Sequence, residues 1–269
     1  MRAAVPAYFD FLIDGFHSRR TGRNVHLGYW DDPPPLTTPC GPVEFEAAQA
    51  RLTEVLLALA DLSDGQSVLD VGCGFGGAFE TVAKLRDMKL YGVNIDPRQL
   101  DICRTVATGD NTLSLIVADA CSLPFRLASF DRALCIEAMF HFRSREIFLR
   151  EAANALRIGG RLVLSDILLR SPGLGVPLSV ANIEAIIRDE YGPWPQLWMT
   201  IDEVLDAARQ AGLRLDRAVD ATRQTLPTYR VTAPQDRSVL SQRPSAGSLL
   251  RWLHAEGYAS YLCLSFTKI

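Results

Sequence analysis

A doubly wound α/β sheet is the fold class that this 269-residue sequence predicts, on three observations. Between Gln66 and Asp166, short apolar runs alternate with helical patterns long enough to serve as crossovers. Those runs, "SVLDVG", "KLYGVNI", "LSLIVAD", "FDRALCIEA" and "GRLVLSDIL", are nearly all apolar, as strands covered on both faces should be. The first of them enters a glycine-rich turn, "VLDVGCGFGGAF", at the kind of junction where such sheets bind ligands.

Ahead of the sheet, Tyr8, Phe9, Leu12, Ile13 and Phe16 recur at helical spacing, so Tyr8 to Phe16 reads as a helix. "TGRNVHLGYWDDPPPLTTPCGP" is extended and rich in turns, and Glu44 to Ala60 is a second helix with Leu52, Val55, Leu56 and Leu59 on one face. Asp96 reads as the N-cap of a helix starting at Pro97. After Ile167 the rhythm stops. "LLRSPGLGVPLSVANIEAIIRDEYGPWPQLWM" is rich in Pro, Gly and Trp and reads as an insertion over the mouth or edge of the sheet. Thr200 to Ala211 opens on a capping box, Thr200 with Glu203, and stops at Gly212. "LRLDRAVDAT" and "YASYLCLSFTKI" then read as closing strands. The expectation is one domain over 1–269: an N-terminal cap (1–62), a ligand-binding core (63–170), a lid insertion (171–199) and closing helices and strands (200–269).

Hydrophobic content of 48% and charged content of 22% suit a soluble globule with a full core. A net charge of -3 provides no basic stripe to neutralise phosphates, so no nucleic-acid partner is expected. Asp10 and Asp14 interrupt the apolar N-terminus as no secretory leader would, and no run of apolar residues is long enough to span a membrane. Six cysteines without a C-x-x-C pair suit reduced thiols and a cytoplasmic setting. No H-E-x-x-H or comparable cluster suggests a metal.

The glycine turn leaves two ligand classes open. Gly72, Gly74 and Gly76 allow close backbone approach, and Gly77 completes the dinucleotide spelling G-x-G-x-x-G. Asp70, two positions before Gly72, would face a phosphate unfavourably and is better placed to hold an ammonium group. That favours S-adenosylmethionine over a dinucleotide.

Five ordered motifs, "LDVGCGFGG", "GVNIDPRQL", "VADACSLPF", "SFDRALCIEAMFHF" and "LRIGGRLVLSDIL", resemble class I S-adenosylmethionine-dependent methyltransferases of the small-molecule group, which includes quinone, natural-product and cyclopropane-fatty-acid enzymes. The resemblance implies a Rossmann-like, mostly parallel seven-stranded sheet. It further implies that Asp70, Gly72, Gly74 and Gly76 surround the methionine moiety, Asn94, Ile95 and Gln99 the ribose, and Asp119 with Ala120 the adenine. Many relatives carry an acid where Asn94 stands; an amide can still bond a hydroxyl.

His141, just past the fourth strand, is the expected base or orienting residue, with Glu137 beside it in the same motif. Tyr8 and His26 are expected over the methionine end, and Tyr29, Trp30, Trp194, Trp198 and Tyr229 are candidates for an acceptor pocket. The expected activity is methyl transfer to a small, fairly apolar metabolite, oxygen first, with carbon or nitrogen as alternatives. An oxidoreductase would call for a Tyr-x-x-x-Lys constellation, which is missing, and a non-catalytic S-adenosylmethionine-binding protein stays open at this point.

Overall fold

The computed structural model describes residues 7–85, 87–170, 178–233 and 244–269. The start of the expected insertion, 171–177, lies outside the described residues.

Two helices precede the sheet, α1 (Tyr8–His17) and α2 (Pro42–Ala60). The alternating core follows: β1 (Ser67–Val71), α3 (Gly77–Leu85), β2 (Lys89–Asn94), α4 (Pro97–Cys103), β3 (Thr112–Val117), β4 (Phe130–Ile136), α5 (Arg145–Ala155) and β5 (Leu156–Leu169). The C-terminal part adds α6 (Val180–Tyr191), α7 (Ile201–Gln210), β6 (Leu213–Asp220), α8 (Thr222–Thr225), α9 (Tyr229–Thr232), α10 (Ala246–Ala255) and β7 (Ala259–Lys268). The seven strands lie in the order β3-β2-β1-β4-β5-β7-β6. All neighbours are parallel except β7, which runs antiparallel to β5 and β6. Strand order reverses between β1 and β4, which opens a crevice at their C-terminal ends.

One face of the sheet packs Leu52, Phe79, Leu100, Ile183 and Leu249 from α2, α3, α4, α6 and α10. The other packs Phe148, Leu149, Ala152, Val204 and Ala208 from α5 and α7. Strands β1 and β4 are therefore apolar because both faces are covered. Strand β3 departs from that expectation: it alternates between partly buried and exposed, and Val117 is 56% exposed, because it is an edge with one neighbour. The opposite edge, β6, is exposed for the same reason.

Helix α6 is an element that the composition of the insertion concealed. Ser179 caps it, accepting from the Asn182 N–H, and Ile183, Ile186 and Ile187 form its buried face. The expected capping box of α7 is present, with Thr200 and Glu203 each bonding the other's backbone N–H.

Asp96 caps α4 and is 1% exposed. Its carboxylate accepts from the Arg98 N–H and holds the Arg98 guanidinium. Asp96→Ala is expected to cost about 1–2 kcal/mol, read as a lower urea midpoint with an unchanged slope. An unchanged midpoint would show that the cap contributes nothing net.

Helix α1 lies over the glycine turn and α4, with Leu12 packed against Phe75 and Ile102. The Arg23 guanidinium pins the following segment by donating to the Phe75 and Ile102 carbonyls, both at 3.1 Å. Among the described residues no helix is long and apolar enough to cross a membrane.

Candidate active site

A cavity of about 1290 Å³ opens at the C-terminal ends of β1, β2 and β4, roofed by α1, the segment 19–27 and residues 191–195. Its floor is the glycine turn, where the Gly72 and Cys73 N–H groups both donate to the Val93 carbonyl, at 2.8 and 3.1 Å. Gly72, Gly74 and Gly76 all have positive φ, but a side chain would meet something different at each. A Cβ on Gly72 would lie 2.4 Å from the Ala138 methyl, and one on Gly76 would lie 2.7 Å from the Cys103 sulfur. A Cβ on Gly74 meets nothing within 3.4 Å, so a side chain there would project into the cavity. Gly76 is not among the lining residues and serves close packing on α4 instead.

Asp70, next to last in β1, is 3% exposed, with Oδ1 lacking a hydrogen-bond partner. Burial raises its carboxyl to about 7. At the end of β2, Asn94 donates to Gln99 Oε1 at 3.1 Å and accepts from the Asp96 N–H. The pair thus holds itself in place and leaves Gln99 Nε2 as a buried donor without a partner. Ile95 and Ala120 line the cavity. Asp119, also lining, accepts from the Cys121 N–H on Oδ1, while Oδ2 lies 3.5 Å from Arg143 Nε.

His141 stands in a single 3-10 turn, Met139–His141, directly after β4. Its ring meets Phe9 and Trp194 edge-on, each at 6.0 Å between centroids, and tilts against Phe140 at 4.6 Å. Nδ1 is buried without a partner. Burial lowers its pKa to about 4, assisted by the Arg145 charge and opposed by the Pro193 carbonyl, so the imidazole is neutral at neutral pH.

Glu137 occupies a left-handed backbone position, φ 47°, unusual outside glycine. Its Oε1 accepts from the Leu27 N–H and the Tyr261 hydroxyl, both at 2.7 Å, which fastens the N-terminal segment to the last strand. Burial raises its carboxyl to about 7 against those two hydrogen bonds. Burial, then the nearby Tyr191 and Glu137 charges, also pushes the Tyr8 and Tyr229 hydroxyls up.

Tyr8, His26, Trp194 and Tyr229 line the same cavity. The His26 ring nitrogens are taken by the Leu27 carbonyl at 2.8 Å and the Thr53 hydroxyl at 3.0 Å, so its role here is to hold the segment. The Tyr229 hydroxyl bonds His254 Nδ1 at 2.9 Å and presents the cavity with a ring rather than a hydrogen-bonding group. Tyr29, Trp30 and Trp198, expected at an acceptor pocket, do not line this cavity. Trp30 stacks on Phe45 and donates to Glu44, Tyr29 packs on the core beside α2, and Trp198 donates to Glu184 in an outer hollow of about 820 Å³.

Sequence reasoning missed Phe9 and Tyr191 as cavity walls, although Phe9 lies on the apolar face read for α1 and Tyr191 ends α6. It also missed a latch. Arg145 and Asp166 form a buried ion pair at 2.8 Å, 1% and 0% exposed, and Arg145 holds the Gln196 carbonyl and side chain.

A methyltransferase-domain family model matches residues 69–164. Methyltransferase GfsG of Streptomyces halstedii is 34% identical over 214 residues, 78% of this chain and 73% of that protein. The 27-O-demethylrifamycin SV methyltransferase of Amycolatopsis mediterranei is 31% identical over 224 residues, 82% and 78% of the two chains. In fold, the chain matches geranyl diphosphate C-methyltransferase from Streptomyces coelicolor A3(2), crystallised with S-adenosyl-L-homocysteine, with a TM-score of 0.74 at 18% identity over 99% of this chain and 100% of that one. Motifs, strand order and relatives agree, and the chain belongs to the S-adenosylmethionine-dependent methyltransferases.

Proposed function

We propose that this methyltransferase methylates an oxygen of a small, largely apolar metabolite, an intermediate of natural-product assembly. The observation that carries the reading is His141: a neutral imidazole in an aromatic wall, at the ligand-binding end of β4. The name of the rifamycin relative, an O-methylating enzyme, supports oxygen as the target.

The cavity suits S-adenosylmethionine. Asp70 Oδ1 and Gln99 Nε2 are buried polar atoms without partners, a cost of about 1–3 kcal/mol each unless a ligand meets them. A buried carboxylate fits a cationic amino acid moiety, and an amide donor fits a ribose hydroxyl. Asp70 and the backbone at Gly72 and Gly74 would hold the methionine end, Asn94, Ile95 and Gln99 the ribose, and Asp119 with Ala120 the adenine. When bound, the cofactor supplies a methyl group on a cationic sulfur that departs as a neutral thioether. The chain contributes alignment, worth as much as ~7–11 kcal/mol of barrier, through the walls formed by Phe9, Phe140 and Trp194. His141 takes the proton as the acceptor's O–H bond breaks, and the oxygen keeps the electron pair that forms the new O–C bond. The proton then passes to water. All six cysteines are free thiols, which supports a cytoplasmic setting.

The test is incubation with methyl-labelled S-adenosylmethionine and panels of alcohols, phenols, amines and carbon acids, with products located by mass spectrometry. Label on oxygen is expected; label confined to nitrogen or carbon would overturn the reading.

Cofactor binding should depend on pH through Asp70. Its folded pKa of about 7 means that the free protein favours the protonated carboxyl below that pH. A cationic ligand favours the ionised form, so affinity for S-adenosylhomocysteine should rise from acidic pH to a plateau above about 7, with proton release on binding. Titration calorimetry in buffers of different ionisation enthalpy measures that release. Asp70→Asn should abolish it, and release that persists in this variant would assign the proton to another group.

A further inference from the structure

The methyl-transfer reading leaves Nε1 of Trp194, a buried donor in the aromatic wall, without a task. The side chain is 8% exposed, and its ring is fixed by Phe140 at 4.2 Å, Tyr191 at 6.4 Å and His141 edge-on at 6.0 Å. An indole N–H can only donate, and this one has no acceptor. Trp194 stands between the outer hollow and the cavity that it lines with His141, whose Nδ1 is also unpartnered. Two unsatisfied polar atoms on adjoining rings are a demand for a ligand with matching groups. The two ring centroids are 6.0 Å apart, a spacing that one small molecule with two neighbouring oxygens can bridge.

We infer that the acceptor carries a second oxygen beside the hydroxyl that is methylated, on the adjacent or the next carbon, and that Trp194 donates to that second oxygen while His141 faces the hydroxyl. The chemical class is a catechol, or a phenol or enol with a neighbouring carbonyl. The inference rests on the O-methylation reading and adds the specificity element to it. The chemistry of the base agrees: an imidazole held at about 4 is a weak proton acceptor, and a donor hydrogen bond to a conjugated carbonyl draws charge from the hydroxyl and acidifies it. Trp194 is thus a positioning residue whose loss should act on acceptor choice rather than on cofactor binding.

The experiment compares catechol and salicylaldehyde, which carry the second oxygen, with phenol, which lacks it. It uses the full chain, labelled S-adenosylmethionine and separate kcat and KM values. The first two are expected to exceed phenol in kcat/KM by at least about tenfold, mostly through KM. In Trp194→Phe, which keeps an aromatic ring in the wall, that ratio should fall to near one. Calorimetry with S-adenosylhomocysteine should give the same affinity for both proteins. A ratio near one in the unaltered protein, or a ratio retained in the variant, overturns the inference while O-methylation stands. If S-adenosylhomocysteine binds but no oxygen acceptor is methylated, the O-methylation reading falls and takes the inference with it.

Discussion

Replacing His141 by alanine is expected to lower kcat for an oxygen acceptor by about 10²–10⁴-fold, the usual worth of a positioned general base, while leaving S-adenosylhomocysteine affinity unchanged. Alanine also removes a ring that packs on Phe9, Phe140 and Trp194, so His141→Phe is the paired control. Phenylalanine keeps the wall and removes the nitrogens; the same loss in both variants assigns it to proton transfer. The pH profile gives a second check. With the imidazole at about 4, turnover at saturating substrates should be flat near neutrality and fall only as the medium becomes strongly acidic. A fall centred near 7 would point instead to a buried carboxyl, Glu137 or Asp70, both of which lie there. Wild-type turnover in His141→Phe would reduce the histidine to packing.

Gly74→Val is expected to abolish measurable S-adenosylhomocysteine binding while the protein stays folded. The position has φ +53°, and a branched side chain in that region costs roughly 1–2 kcal/mol, a modest fall in melting temperature for a chain of this size. The loss of binding has a different origin: the isopropyl group would stand in the space against which Val25, Gln99 and the turn close. Gly72 and Gly76 do not offer the same test, because side chains there would strike Ala138 or Cys103 and damage the fold first. Calorimetry and thermal melting on one sample separate the two effects, and unchanged affinity would remove the turn from the site.

The sheet was legible because each central strand is a short apolar run and each crossover has room for a helix. The N-cap Asp96 and the capping box of α7 were legible because caps are local: two or three residues contain the whole interaction. Helix α6 was not, since Pro and Gly on either side of it dominated the composition, although its Ile183, Ile186 and Ile187 keep helical spacing. Aromatic residues misled most. Tyr29 and Trp30 follow His26 closely in the chain, yet the segment turns them toward α2 rather than into the cavity. The contact of His141 with Phe9 and Trp194 joins three distant parts of the chain, and no local pattern encodes it. Nor does the type of residue 137 announce a left-handed backbone, because a glutamate there is retained by its partners Leu27 and Tyr261 rather than by its own preference.

The Arg145 latch gives the acceptor wall a support of its own. Asp70 and Asn94 belong to β1 and β2 and Gln99 to α4, whereas Trp194 belongs to a segment that joins the sheet through Arg145 gripping Gln196 on one side and Asp166 on the other. Breaking a buried pair of this kind costs about 3–5 kcal/mol, so the anchor resists change. The residues between α6 and α7, Trp194 among them, share that anchor. Loss of that one clamp would therefore disturb the acceptor wall while leaving in place the floor that the strands carry.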